Sequence, residues 1–154
     1  MTTDRPVSSG RPGGTATNGH DHCLLCGYRN PWSLGLRYLS ADDGSVNSSF
    51  KGHSGLQGYQ GMLHGGVIAA LLDSAMTHCL FHNGIQGLTA DLHIRFVEPV
   101  PCDSLLAVQA RIVSRRPPLF LLRAEMLQDC QLMAWAEAKF IAREPTKSGA
   151  PSSR

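Results

Sequence analysis

Apolar residues along this chain repeat with two different periods. From Gly66 to Leu80, the residues Ile68, Leu71, Leu72, Ala75, Met76 and Cys79 recur at the three-and-four spacing of an amphipathic helix, and nothing interrupts them. Elsewhere the period is two. Leu34, Leu36 and Tyr38 alternate through Trp32 to Leu39, and after the turn Asp42-Asp43-Gly44 the alternation resumes at Val46, Ser48 and Phe50, which predicts a hairpin. Asn83-Gly84 stops the helix, and beyond it Leu88, Ala90, Leu92, Ile94 and Phe96 alternate with Thr89, Asp91, His93 and Arg95. Leu106, Val108, Ala110 and Ile112 mark the next strand, Phe120, Leu122, Ala124 and Met126 the one after, and Leu132 to Ile141 the last, with breaks at Pro99, Pro101, Pro117-Pro118 and Asp129-Cys130. Strands in series with short turns pair antiparallel. Gly52, Gly55, Gly58 and Gly61 make the stretch before the helix too irregular for a strand, so it reads as a loop. The expected fold is α+β, a curved antiparallel sheet wrapped around one long central helix.

Composition narrows the function without naming it. A chain of 154 residues with 42% hydrophobic content is one globular domain, expected over residues 20–144 between tails 1–19 and 145–154 that are too polar to order themselves. A net charge of +2, without a basic stripe, argues against nucleic acid as a partner. The N-terminal stretch has no apolar h-region and no apolar run approaches a membrane span, so the expectation is a cytoplasmic protein with no membrane attachment. Five cysteines without framework spacing fit reduced thiols.

The start of the helix is where chemistry is expected. Gly65 and Gly66 leave backbone N–H groups bare at the positive end of the helix dipole, which suits an oxyanion or a polarised carbonyl. Asp73 points roughly 130° away from the apolar stripe, on the side shared with Gly66, Ala70 and Thr77. A carboxylate among such small residues suggests a tight interface; the plainer alternative is a solvent-facing Asp. His64 and Asp73 are nine residues apart, which at about 1.5 Å per residue separates them by roughly 13 Å. If both serve one carbonyl, they come from two copies of the chain.

Leu63-His64-Gly65-Gly66, followed by Leu72-Asp73-Ser74-Ala75-Met76, resembles the hot-dog-fold acyl-CoA thioesterases of the PaaI-like branch, whose motif is His-Gly-Gly with an Asp or Glu nine residues after the His. Cys23-Leu24-Leu25-Cys26-Gly27, with Asn30-Pro31 and Leu34-Gly35-Leu36, is similar to their opening segment, and Thr89-Ala90-Asp91 to Val100 to their strand after the helix. The resemblance covers about Cys23 to Arg143. It implies the hot-dog fold and hydrolysis of an acyl- or aryl-CoA thioester by a homodimer, paired again as a dimer of dimers, without a cofactor. Thioester hydrolysis needs oxyanion stabilisation and a base or nucleophile. By resemblance, the Gly65 N–H binds the thioester oxygen, His64 helps place the carbonyl or thiolate, Asp73 of the partner subunit is the base or nucleophile, and Thr89 holds the attacking water. Gly66 and Gln60 are expected at the substrate. Arg115 and Arg116 lead the basic residues that could meet the phosphates of coenzyme A. Some thioesterases of this family place Asn or Gln six residues before the His, where this chain has Gly58 with Gln57 and Gln60 close by. The alternatives are an acyl-CoA-binding hot-dog protein without turnover, and a dehydratase or hydratase.

One cluster falls outside this scheme. His20-Asp21-His22-Cys23-Leu24-Leu25-Cys26 packs four potential metal ligands into seven residues, a set that could hold zinc. The expectation is nevertheless no metal, because zinc sites usually gather ligands from two chain segments, adjacent His22 and Cys23 would strain one tetrahedron, and similar proteins carry a Cys-x-x-Cys without an obvious metal role. His78, His82 and His93 receive no role.

Overall fold

A computed structural model describes residues 18–144, so both expected tails lie outside the described residues except for Asn18 and Gly19. The elements are strands β1 (Leu39–Ser40) and β2 (Val46–Lys51), helix α1 (Gly65–His82), and strands β3 (Gly87–Phe96), β4 (Leu105–Arg116), β5 (Leu119–Gln128) and β6 (Gln131–Ala142), with a short 3-10 turn at Ser54–Leu56. They form one six-stranded sheet in the order β1-β2-β4-β5-β6-β3, antiparallel at every pairing. This is the hot-dog architecture, with the sheet curled round a single helix. Among the described residues, no helix is long and apolar enough to cross a membrane.

The helix buries the stripe its sequence periodicity picks out. Leu71, Leu72, Ala75, Met76 and Cys79 are fully buried and Ile68 nearly so, against Val108, Leu122, Ala124, Met126, Ala136 and Phe140 of the sheet. Asn83 caps the C-terminal end and ties it to the β1–β2 hairpin, its Nδ2 donating to Cys79 O at 2.7 Å and to Gly44 O at 2.9 Å. The β5–β6 hairpin turns through Asp129 and Cys130, both at positive φ, the backbone that a two-residue hairpin turn requires.

Two expectations about the strands need correction. The first strand, expected over Trp32 to Leu39, is a ladder only at Leu39–Ser40. Leu36 is buried and Leu34 and Tyr38 are half-buried, so the alternation reports burial correctly. Gly35 has a φ of +68°, which breaks the extended run. The Leu34 and Leu36 N–H groups donate instead to Leu24 O and Leu25 O, both at 2.9 Å, and spend their hydrogen bonds on the preceding loop. In β3, the alternation does not run through unbroken. The register shifts between Thr89 and Asp91, so that Thr89 pairs with Phe140 and Leu92 with Ala138. Opposed residues of an antiparallel pair share a face, and both partners are buried under the helix. Thr89 and Leu92 therefore lie on the same face, although the plain alternation puts Thr89 on the opposite, polar one.

Candidate functional site

The site residues fall into two groups on one unbroken helix. At its start, His64 is the N-cap, with φ −62° and ψ 134°, and its Nδ1 accepts the Gly66 N–H at 2.8 Å. A ring nitrogen that accepts carries no proton, so the other nitrogen, Nε2, is the N–H donor. The Gly65 N–H makes no hydrogen bond among the described residues. Expected as two bare amides, the first turn keeps one: the Gly66 N–H is already held by His64.

Beside this turn lies a cleft of ≈ 430 Å³ that includes His64, Gly65, Ile68, Tyr59, Met62 and Phe96 in its lining. Three of these are large apolar side chains open to solvent, Tyr59 at 85%, Phe96 at 52% and Met62 at 36%. Tyr59 and Met62 belong to the loop Gly52 to Met62, which is expected from the sequence to line the pocket, whereas Phe96, at the end of its strand, has no role expected from the sequence. The glycine at 58 packs against His64. A Cβ there would sit 3.3 Å from His64 Cδ2 and 3.4 Å from its Cα, so the loop lies close against the histidine. Gln57 Oε1 is used inside the loop, accepting the Gly61 N–H at 3.1 Å, and Gln60 is exposed.

The second group is in the middle of the helix. Asp73 is half-buried beyond the apolar stripe, and Thr89 Oγ1 donates to its Oδ1 at 2.7 Å. The β3 bulge is what brings Thr89 to this face. Burial pushes the Asp73 carboxyl above its ordinary range, and the Thr89 hydrogen bond pulls it part of the way back. Oδ2 has no hydrogen bond among the described residues, so one oxygen is held and the other is free to accept a proton.

One chain does not join the two groups. The helix is continuous from Gly65 to His82, so its rise keeps Gly65 and Asp73 about 12 Å apart. Arg115 and Arg116 end β4 at the other end of the helix, where Arg115 donates to Asn83 Oδ1 at 2.6 Å. Within one chain they lie about 25 Å from the Gly65 end along the helix axis. Of the eight residues expected at the site, the structure thus joins His64, Gly65 and Gly66, joins Asp73 to Thr89, and leaves Gln60, Arg115 and Arg116 apart.

Known proteins are similar to this chain in sequence and fold. The thioesterase superfamily profile matches residues 60–129, from the loop before the helix into the last hairpin. A bovine (Bos taurus) protein named acyl-coenzyme A thioesterase THEM4 is 30% identical over 120 residues, 75% of this chain and 49% of the relative, so the chain spans about half of that protein's length. A crystal structure described as a thioesterase superfamily protein superposes with a TM-score of 0.75 at 26% identity, over 79% of this chain and 63% of that one. The Escherichia coli PaaI protein of the phenylacetic acid degradation operon shares the fold at a TM-score of 0.67 and 18% identity, over 72% of this chain and 81% of its own.

Proposed function

The chain belongs to the thioesterase superfamily, and we propose that it hydrolyses the thioester of an acyl- or aryl-CoA in a site built from two copies of itself. The observation that supports this reading is the division of one helix into two half-sites, a bare Gly65 N–H at its start and the Asp73–Thr89 pair about 12 Å along it. The name of the bovine relative points to the same substrate class. The second copy joins through β3, an edge strand with unpaired backbone groups and an exposed Leu88. With two helices antiparallel across a twofold axis, Gly65 of one copy faces Asp73 of the partner subunit.

In the proposed reaction the free carboxylate oxygen of Asp73 takes a proton from water as the water oxygen attacks the thioester carbonyl carbon. The carbonyl oxygen becomes an oxyanion, held by the Gly65 N–H and the positive end of the helix. His64 Nε2–H is a second donor beside it. Collapse of the intermediate breaks the C–S bond, releases the CoA thiolate and leaves the acyl group as its acid. The Thr89 hydroxyl, having donated its proton to Asp73, keeps lone pairs that can hold the water.

Complementation tests the two-copy site. Gly65→Pro removes a single N–H at the first helical position, where proline is tolerated, and His64 already has the backbone of a residue before proline. Asp73→Asn removes the base and leaves the amide. Each homodimer is expected to be nearly inactive toward a panel of short, long and aryl acyl-CoA esters. Co-expressed, about half of the dimers are mixed and each mixed dimer holds one intact site, for roughly a quarter of wild-type activity. Mixed dimers that recover nothing, from mutants that each fold and dimerise, place both groups in one subunit. Acyl-CoA binding by the wild type without turnover reassigns the protein as a binder.

A further inference from the structure

The loop from His20 to Gly27 is a tight knuckle. The Cys23 N–H donates to His20 O at 3.0 Å, the Gly27 N–H to Cys23 O at 2.8 Å, and the Leu25 N–H to Cys23 Sγ at 3.3 Å. Gly27 lets it close: a Cβ there would stand 2.3 Å from Cys23 N and 2.6 Å from Asp21 O, both backbone atoms that cannot give way. The turn gathers His20 Nδ1, Cys23 Sγ and Cys26 Sγ within 4.8 Å of one another, with His20 and Cys26 at 3.7 Å. The helix supplies a further donor, since His78 Nε2 lies 3.1 Å from Cys26 Sγ. Its ring is held in place by Tyr38, stacked at 4.3 Å, and by Phe81 edge-on at 5.3 Å.

The two geometric reasons for expecting no metal from the sequence are removed; the third, that similar proteins carry a Cys-x-x-Cys without an obvious metal role, is not touched by the geometry. The histidine in the cluster is His20, while His22, the neighbour of Cys23, is exposed and stands outside it. The second chain segment is the helix, through His78. We propose that Cys23, Cys26, His20 and His78 bind one structural zinc ion that fastens the N-terminal knuckle to α1. Two thiolates and two imidazoles are a donor set that zinc takes in preference to hard cations, and four protein ligands leave no coordination position for water. Zn–S and Zn–N bonds of about 2.3 and 2.0 Å give a tetrahedron with edges of about 3.3–3.8 Å. The 3.7 and 3.1 Å separations are close to such edges already, and the widest in the triad, at most 4.8 Å, closes with a shift of about 1 Å. His78 has the larger movement to make: it is within reach of Cys26 but not within 4.8 Å of all three triad donors, and its ring lies 6.0 Å from that of His20. The Leu25 N–H on Cys23 Sγ is the outer hydrogen bond that a thiolate ligand commonly takes. On binding, both thiol protons pass to solvent.

The ion would set more than the loop. Leu34 and Leu36 hang from the knuckle by their N–H groups, Leu36 enters the core, and Tyr38 donates to Ser74 Oγ at 2.9 Å, one residue from Asp73. The knuckle thus buttresses the helix beside the carboxylate without touching it.

The test uses the full chain, produced without a polyhistidine tag in zinc-supplemented medium and then dialysed. Mass spectrometry for metals should find one zinc per chain, and exchange for Co²⁺ should give the sulfur-to-cobalt charge-transfer band and intense visible bands of a tetrahedral site. Cys26→Ser and His78→Gln should each weaken zinc binding, read by competition with a chromophoric chelator, by at least about tenfold. Cys130→Ser, at an exposed cysteine outside the cluster, should leave it unchanged. No zinc above background in the wild type, with a Co²⁺ spectrum that stays octahedral, overturns the proposal. So does undiminished affinity in Cys26→Ser or His78→Gln. Where a variant fails to fold, the wild-type metal content and cobalt spectrum decide.

Discussion

Strands β3 and β5 are both ten residues long and both carry apolar residues at every second position, yet they are buried to opposite degrees. In β5, Phe120, Leu122, Ala124 and Met126 are at most 4% exposed. In β3 no residue is fully buried, and Leu88 and Phe96 are 59% and 52% exposed. The bulge turns Leu88 to the outer face, opposite Ile141. Phe96, however, pairs with buried Ala134 on the helix side and is open all the same, so alternation does not state whether anything covers a face. Coverage comes from position, because β5 lies between β4 and β6 under the helix whereas β3 is an edge with one neighbour. The His64–Gly65 turn, the Asp73–Thr89 pair, the apolar cleft and the uncovered strand all lie along this edge, where the proposed two-copy site would be completed.

The sharpest way to separate the two strands is to weaken each. Leu122→Ala on β5 opens a cavity in the core of every copy and should lower stability by about 2–5 kcal/mol in urea denaturation, independent of protein concentration. On β3, Leu88→Asp should split the proposed dimer in sedimentation and abolish thioester turnover. The urea midpoint of the dissociated chain should differ from that of wild type diluted until it dissociates by no more than about 0.5 kcal/mol equivalent. A Leu88→Asp chain that unfolds as readily as Leu122→Ala would show that β3 is core in its own right and would remove the contrast.

The smallest effect probes the bulge. Asp73 must be ionised to act as base, and its carboxyl is raised above its ordinary value, so the acid limb of the pH–rate profile should lie above the usual carboxylate range. Thr89→Val removes the hydrogen bond that opposes the shift and should move that limb to still higher pH. A limb unmoved by Thr89→Val would mean that the bulge does not present Thr89 to the working carboxylate. Stability should run the other way. A carboxyl raised in the folded state holds its proton more tightly there than in the unfolded chain, so its contribution is complete below pH 3.8 and is lost as pH rises through the raised value. The difference in urea midpoint between wild type and Asp73→Asn, followed across that window, should fall with increasing pH.

These contrasts follow how far a local pattern reaches. The helix, its buried stripe from Ile68 to Cys79, and the placing of Asp73 off that stripe are legible in the sequence because 3.6 residues per turn relates neighbours only a few positions apart. The same rise makes the separation of Gly65 from Asp73 calculable from the sequence. β2 and the four meander strands were legible because period two is equally local. His64 as the helix cap was also within reach, since the first N–H groups of any helix need an acceptor.

What tertiary structure alone decided lies wherever two distant segments compete for the same hydrogen bonds or the same space. The extended residues around Leu34 and Leu36 look like a strand, but their N–H groups are taken by Leu24 and Leu25, and no local propensity records that preference. A bulge is a property of the ladder between β3 and β6, so the sequence of β3 could not reveal that Thr89 turns to face Asp73. Cys26 and His78 are 52 positions apart, and only the folded chain brings them to 3.1 Å. The sequence by itself determined the helix with its buried stripe and the period-two strands from β2 onward, apart from the start of β3 that the bulge turns over, because those arise from contacts within a few residues. The pairing of those elements depends on chain segments that meet only when the whole domain is folded.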